Sequence, residues 1–293
     1  MTDTSYLSSS TTIGERSFQW GARTYVMGIV NVTGDSFSGD GLNNDVEATV
    51  TQALAFQEAG AHLIDVGGES TRPPGATYGQ GAAPVSADEE LSRVIPVIER
   101  LHDALSIPIS IDTYKADVAR QAVAAGASLI NDVWGLQRDP ELAAVVAETG
   151  APLVLMHNQA GTEYNDLLPD VLASLRESVD VARKAGVASD AIIVDPGIGF
   201  GKTVQHNLEL LRRLREFKDA LGYPVLVGVS RKSTIGTVLG GLPPEDRVEG
   251  TAAAIALSIA HGADIVRVHD VQAMVRVARM TDAIVRGWSP PSS

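Results

Sequence analysis

The stretch Gly126-Ala127-Ser128-Leu129-Ile130-Asn131-Asp132 has three parts in a fixed order: a glycine step, a short apolar run, and a polar pair. The same order returns in Gly262-Ala263-Asp264-Ile265-Val266-Arg267-Val268-His269-Asp270. Gly60-Ala61 and Gly150-Ala151 repeat its first part. Glycine after a helix serves as a left-handed cap that turns the chain. A short, almost wholly apolar run then reads as a parallel strand buried on both faces. Working outward, strands are predicted at Tyr25–Val30, His62–Val66, Ile107–Ile111, Ser128–Ile130, Pro152–Met156, Ala191–Val194, Pro224–Val229 and Asp264–Val268. Helical period fills 44–60, 87–104, 115–125, 140–149, 168–186, 205–221, 247–261 and 270–286. Eight strand–helix units without a linker predict an α/β fold, a single-domain (β/α)₈ TIM barrel rather than an open doubly wound sheet. The expected boundaries are a flexible polar tail over 1–17, the barrel over 18–288 and a short tail over 289–293.

Bulk properties agree with one large core: 293 residues, 44% hydrophobic, 20% charged, 5% aromatic. No apolar run approaches the roughly 20 residues that span a bilayer. The polar, Ser/Thr-rich start does not resemble a signal peptide, so neither a membrane nor export is expected and the cytoplasm is the default compartment. Absence of cysteine rules out disulfides and thiolate chemistry. A net charge of −13 argues against a nucleic-acid partner. A small anionic substrate is compatible with it, provided cations are concentrated locally.

The residues at the strand ends carry most of the functional information. The first strand ends on Asn31, the third on Asp112, the fourth on Asn131-Asp132, the fifth on His157, the sixth on Asp195, the seventh on Ser230-Arg231-Lys232, and the eighth on His269-Asp270. Parallel closure brings all of these to one rim, where barrel active sites sit. Capping of the next helix is the alternative for any single Asp, Asn or Ser. It does not explain why Lys232, Arg267 and His269 share that rim with carboxylates.

Asn31-Val32-Thr33-Gly34-Asp35-Ser36-Phe37-Ser38 and Gly67-Gly68-Glu69-Ser70-Thr71-Arg72-Pro73 resemble the two signature segments of the dihydropteroate synthases. Ile111-Asp112-Thr113, Asn131-Asp132-Val133, Leu155-Met156-His157, the run Asp195–Lys202, Ser230-Arg231-Lys232-Ser233 and Arg267-Val268-His269-Asp270 match that family in order. The resemblance covers roughly residues 20–286. It implies condensation of 6-hydroxymethyl-7,8-dihydropterin diphosphate with p-aminobenzoate to 7,8-dihydropteroate, within folate biosynthesis.

A pterin edge of adjacent N–H donors and a carbonyl calls for a buried carboxylate, because charge-assisted paired hydrogen bonds are the strong kind. Asp195 is the candidate, with Asp112 and Asn131 on the reduced ring, Lys232 on the ring carbonyl and nitrogen, and Met156 and Phe200 lining the slot. The resemblance implies the same assignments. Core packing for Met156 and a turn-initiating role for Asp195 are the structural alternatives. Arg267 and His269 alternate with Val268, so an extended strand points both to one side, a permanent cation beside a titratable one. They are the expected diphosphate ligands, with Asn31, Thr71 and Arg72 beside them; a core ion pair is the alternative for Arg267. The resemblance implies Mg²⁺ held in part by Asn31. For p-aminobenzoate, Ser230 and the start of the seventh helix are expected to anchor the carboxylate, with Phe37, Arg72 and Pro73 closing from the loops.

No covalent nucleophile is needed: cysteine is absent, and Ser230 has no obvious histidine partner in the sequence. A dissociative displacement is expected, with Arg267, His269 and Mg²⁺ on the departing diphosphate and Asp112 beside a pterin-methylene cation; the catalytic set is Asp112, Lys232, Arg267 and His269. The segment 67–86 is longer than ordinary strand-to-helix loops and reads as a lid over both substrates. The family usually carries Pro where Gly34 stands, reads Ser-Asp-Gly-Gly where Ser38-Gly39-Asp40-Gly41 stands, and lacks the doubled Pro73-Pro74. Because sulfonamides mimic p-aminobenzoate in this family, these departures suggest a sulfonamide-tolerant variant. Two rivals remain. A pterin methyltransferase of the same barrel type would share Asp112, Asn131 and Asp195 but not the diphosphate cations, and a non-catalytic pterin-binding paralogue would lack turnover. The last two helices could support a homodimer.

Overall fold

The computed structural model describes residues 8–32, 45–69 and 85–288. The barrel strands are β3 (Tyr25–Asn31), β4 (Leu63–Gly67), β5 (Ile109–Asp112), β6 (Leu129–Asp132), β7 (Leu153–Met156), β8 (Ile192–Asp195), β9 (Leu226–Val227) and β10 (Ile265–Val268). All pair in parallel in the order β8-β7-β6-β5-β4-β3-β10-β9, and the bridge Val194–Val225 closes the ring. Around it lie α1 (Val46–Glu58), α2 (Ala87–Ala104), α3 (Ala116–Ala124), α4 (Leu142–Thr149), α5 (Leu167–Lys184), α6 (Val204–Arg212), α7 (Leu214–Leu221), α8 (Ser233–Val238), α9 (Val248–Ala260) and α10 (Val271–Arg286). The (β/α)₈ barrel is therefore as expected.

Two details differ from the sequence reading. The expected helix over 205–221 divides at Arg213, whose ψ of 15° breaks the helix while Glu209 and Glu216 hold its guanidinium. The seventh strand is only two residues long, and the segment after it forms the six-residue α8 before the barrel helix α9 begins. Arg231, in the left-handed region at φ 57°, makes that sharp exit. Its conformation is held by Arg247 Nη1 donating to its carbonyl at 2.8 Å and by its own N–H donating to Thr251 Oγ1 at 3.1 Å.

The larger correction concerns the expected loose tail over 1–17. Residues 1–7 lie outside the described residues, but β1 (Ser10–Ile13) and β2 (Arg16–Gln19) form an antiparallel hairpin. Gly14 supplies the positive φ, 59°, that a two-residue turn requires. Its polar composition concealed a sparse apolar pattern. Ile13, Phe18 and Trp20 are buried and share one cluster with Tyr25, Met27, Leu63, Leu129, Val154, Ile193, Leu226 and Ile265. Those are inward-facing residues of the strands, so the hairpin plugs the N-terminal mouth of the barrel. Thr11 Oγ1 donates to the Asp190 carbonyl at 2.5 Å and accepts from Trp20 Nε1 at 3.0 Å, fixing the plug in place. The outward-facing strand residues and the helices form the second, larger apolar layer.

Truncating a buried aromatic removes its transfer energy and leaves a cavity. Phe18→Ala is therefore expected to lower unfolding stability by about 3–5 kcal/mol in urea denaturation. A loss below about 1 kcal/mol, the scale of a surface change, would show that the hairpin does not seal the core.

Candidate active site

Strand period builds the site directly. Side chains two apart on a strand face the same way. Two positions beyond the inward residues Leu63, Leu129, Val154, Ile193, Leu226 and Ile265 stand Asp65, Asn131, Met156, Asp195, Gly228 and Arg267. A layer of hydrocarbon thus gives way, one pleat higher, to a layer that is mostly charged or polar. Register places Asp112 opposite Asn131 and Met156 opposite Asp195. Asp112, Asn131, Met156 and Asp195 are all buried. The structure brings these four together with Lys232, Arg267 and His269, as the sequence reading required.

At the centre, Arg267 Nε donates to Asp65 Oδ2 at 2.5 Å and its Nη2 donates to Asp112 Oδ2 at 2.7 Å. Asn131 Nδ2 donates to the same Asp65 oxygen at 3.2 Å. The ion-pair alternative for Arg267 is thus realised. Nη1 makes no hydrogen bond among the described residues, which leaves part of the fork for an anion. Burial works to lower the Arg267 pKa, but Asp65 and Asp112 outweigh it and the net shift is upward. Burial pushes Asp112 up to about 7, against the pull of Arg267 and with the repulsion of Asp65. Its Oδ1 is buried with no hydrogen-bond partner among the described residues, an acceptor suited to a ring N–H. Asp65 is a member of this layer that the sequence analysis does not single out. The available signal was a carboxylate inside the apolar run Leu63-Ile64-Asp65-Val66.

The second group rests on the loop after β8. Asp195 Oδ1 accepts from the Gly197 N–H at 2.7 Å, and its other oxygen makes no hydrogen bond among the described residues. Burial raises the Asp195 pKa, and Lys232 is the chief opposing charge. Lys232 donates to the Ile198 carbonyl, and its Nζ lies 4.4 Å from the centre of the Phe200 ring. Burial lowers the Lys232 pKa to about 8 while Asp195 works to raise it. A carboxylate, an ammonium and an aromatic face therefore share one wall, which can pair with a flat heterocycle and stack on it.

Burial, then Arg267 and Arg231, hold the His269 pKa down to about 3. Ser230 does have a histidine partner: its Oγ lies 3.1 Å from His269 Nδ1 and accepts the His269 backbone N–H at 3.2 Å. The hydroxyl can donate to Nδ1, an arrangement that matches the tautomer carrying its proton on Nε2. The expected helix start at Ser230 is α8, with Lys232 at its cap position and no side-chain capping bond. Phe37, Thr71, Arg72 and Pro73 lie outside the described residues.

Asn31 ends β3, and its Oδ1 stands over Gly67 close to Asp112: a Cβ added to Gly67 would lie 3.8 Å from both Asn31 Oδ1 and Asp112 Oδ2. Among the described residues no cluster of three or more His, Asp or Glu is placed to hold a metal alone. One amide oxygen with no hydrogen bond among the described residues fits Mg²⁺, a hard ion commonly bound through few protein ligands plus substrate phosphates and water.

Comparisons with known proteins fit this geometry. The sequence model of the family described as "Pterin binding enzyme" matches residues 27–269. Dihydropteroate synthase of Bacillus subtilis is 55% identical over 263 residues, covering 90% of this chain and 89% of that protein. A structure of the dihydropteroate synthase from Clostridium difficile in the presence of pteroic acid is similar with a TM-score of 0.85 at 50% identity, covering 92% of this chain and 99% of that one. Another, from Yersinia pestis with a sulfonamide drug, has a TM-score of 0.87 at 38% identity, covering 95% and 100%. With this identity spread over nearly the whole barrel, the chain belongs to the dihydropteroate synthase family.

Proposed function

We propose that this chain joins 6-hydroxymethyl-7,8-dihydropterin diphosphate to p-aminobenzoate, giving 7,8-dihydropteroate and diphosphate for folate biosynthesis. The observation that carries the reading is the inward charged layer, in which Asp112, Asn131, Asp195, Lys232 and Arg267 converge above a sealed apolar floor. The relatives named with pteroic acid and with a sulfonamide support the same substrate pair.

In this reading the pterin edge pairs with Asp195, and Lys232 donates to its carbonyl and ring nitrogen. Phe200 and Met156 line the faces, with Asn131 and Asp112 Oδ1 on the reduced ring. The bond between the pterin methylene and the diphosphate oxygen breaks with its electron pair leaving on the oxygen. Asp112 faces the cation that develops, and that charge draws its pKa downward. Nη1 of Arg267 and the Nε2 proton of His269 stabilise the leaving group, alongside Asn31, Thr71 and Arg72. Mg²⁺, held in part by Asn31, would supply further neutralisation of the diphosphate. The aniline nitrogen attacks the methylene cation to form the new C–N bond, and the proton it then sheds passes to solvent. Ser230 orients the p-aminobenzoate carboxylate, with Phe37, Arg72 and Pro73 around it. The contact between Ser230 and His269 links the two substrate subsites through one hydroxyl.

Tolerance of sulfonamides rests on Gly34, the Ser38–Gly41 order and Pro73-Pro74, all outside the described residues. A homodimer is supported by the apolar side chains that α9 and α10 expose, Leu257, Met280 and Ile284, with Trp288 just beyond. For the compartment, no helix among the described residues is long and apolar enough to cross a membrane.

Diphosphate release that requires p-aminobenzoate is the expected result in a turnover assay, with sulfonamide Ki above the p-aminobenzoate KM. Release independent of p-aminobenzoate, or none, would favour the methyltransferase or the non-catalytic paralogue, and a Ki well below KM would end the tolerance proposal. Asp112→Asn is expected to reduce kcat far more than pterin affinity.

The raised Asp112 pKa also has a sign. A carboxyl at about 7 when folded and about 3.9 when unfolded stabilises the unliganded fold at low pH, and that contribution disappears as pH rises through 7. The unfolding free energy of the native chain minus that of Asp112→Asn should therefore fall between pH 4 and 7, by at most about 1.4 kcal/mol per pH unit. A flat or rising difference would mean that Asp112 is an ordinary ionised carboxylate before substrate binds.

A further inference from the structure

The buried stripe of α6 carries a residue that its pattern does not call for. Asn207, Leu210 and Leu211 face the core together, at the spacing of one helical face. The first of these is an asparagine, 2% exposed, where leucine is both the better helix former and the better core side chain. A buried amide is tolerated when its hydrogen bonds are made. Asn207 makes one at each end: its Oδ1 accepts the Gly199 N–H at 2.7 Å, and its Nδ2 donates to Thr234 Oγ1 at 2.8 Å. A backbone N–H is a donor only, so the amide cannot be turned end for end.

Both partners bear on Lys232. Thr234 stands two residues after it in the first turn of α8, whose cap is Lys232 itself, and the Ile235 N–H donates to the Lys232 carbonyl at 3.0 Å. Gly199 underlies the Lys232 side chain: a Cβ added there would fall 2.8 Å from Lys232 Cδ, so the stem lies against bare backbone. The preceding residue, Ile198, accepts from Lys232 Nζ through its carbonyl. These contacts close a ring, from the Lys232 backbone through Thr234, Asn207, Gly199 and Ile198 back to the Lys232 ammonium. One amide on α6 thus holds the backbone from which Lys232 departs and the backbone on which its tip rests. Without that link, α8 and the loop after β8 would be free to shift against each other, and the ammonium would move relative to Asp195. A flat heterocycle that pairs with a carboxylate and an ammonium at once is sensitive to such a shift, because hydrogen bonds weaken steeply outside a narrow range of distance and angle.

We infer that Asn207 is a positioning residue for pterin binding: by joining Gly199 to Thr234 it fixes the spacing between Lys232 and Asp195. It acts through Lys232 and not by contact with a substrate. The inference rests on the reading of Asp195 and Lys232 as the groups that hold the pterin edge.

Calorimetric titration with the pterin diphosphate, in the absence of p-aminobenzoate, tests this on the native protein, Asn207→Leu, Asn207→Asp, Thr234→Val, Lys232→Met and Asn131→Ala, and on Asn207→Leu combined with each of the last two. Asn207→Leu is expected to weaken binding by about tenfold, the scale of one misplaced charge-assisted hydrogen bond. Asn207→Asp keeps an acceptor for the Gly199 N–H and a second oxygen to which the Thr234 hydroxyl can donate, so its affinity should stay within about threefold of native. On top of Lys232→Met, Asn207→Leu should cost no more than about twofold, because both changes act through one ammonium. On top of Asn131→Ala, a contact from another strand, the full loss of about tenfold should remain. Native affinity in Asn207→Leu, an equal loss in Asn207→Asp, or a full loss on top of Lys232→Met would overturn the inference. Should Asn207→Leu fail to fold, Thr234→Val opens the same ring and should weaken binding by about threefold; native affinity in that variant would overturn the inference as well. A native chain that does not bind the pterin diphosphate would instead sink the reading of the site itself, which keeps the two failures apart.

Discussion

A guanidinium held inside the cylinder between two carboxylates governs the rest of this molecule. Arg267 reaches from β10 to Asp65 on β4 and Asp112 on β5, so one side chain ties three strands at the level where hydrocarbon ends. Such a group is expensive to bury, and a barrel optimised for stability alone would fill that layer with Val, Ile and Leu. Its presence requires everything below it to be tightly sealed. The hairpin plug does this at the N-terminal mouth with Ile13, Phe18 and Trp20.

Above the seal, the charges are set against one another rather than left to solvent. Asp112 is pushed toward neutrality by burial and by Asp65, yet it pairs with Arg267. Lys232 is pushed toward neutrality by burial, yet it faces Asp195. His269 and His157 are held neutral by burial and nearby cations. The site is therefore poised, with several groups whose protonation a charged substrate can shift. Preorganised dipoles and charges in a water-poor setting are the usual source of stabilisation for a leaving group and the cation it leaves behind.

Much of this was legible in the sequence because two periodicities carry it. Short apolar runs with polar ends, four of them preceded by a glycine step, mark the strands and their rim, and period two placed Arg267 and His269 together. Other features were not legible. The plug hairpin looked like a tail because only three apolar side chains are spread over eight residues. Asp65 was passed over because it is a lone carboxylate inside the apolar run Leu63-Ile64-Asp65-Val66, with no motif beside it. The charge state of His269 depends on burial and on Arg267 and Arg231, which are distances in space that no local pattern encodes. The exit into the short α8 likewise depends on contacts distant in sequence, from Arg247 and to Thr251, whereas the break at Arg213 is flanked by its own local ion pairs to Glu209 and Glu216.

Asp65 contacts no substrate in this account; it holds Arg267 against the wall and accepts from Asn131. The most direct test of the central claim is the calorimetric affinity of Asp65→Asn for the pterin diphosphate. A loss of about tenfold or more in a folded protein is the result the account predicts, since Arg267 would lose the charge that aims it. Native affinity in that variant would contradict it.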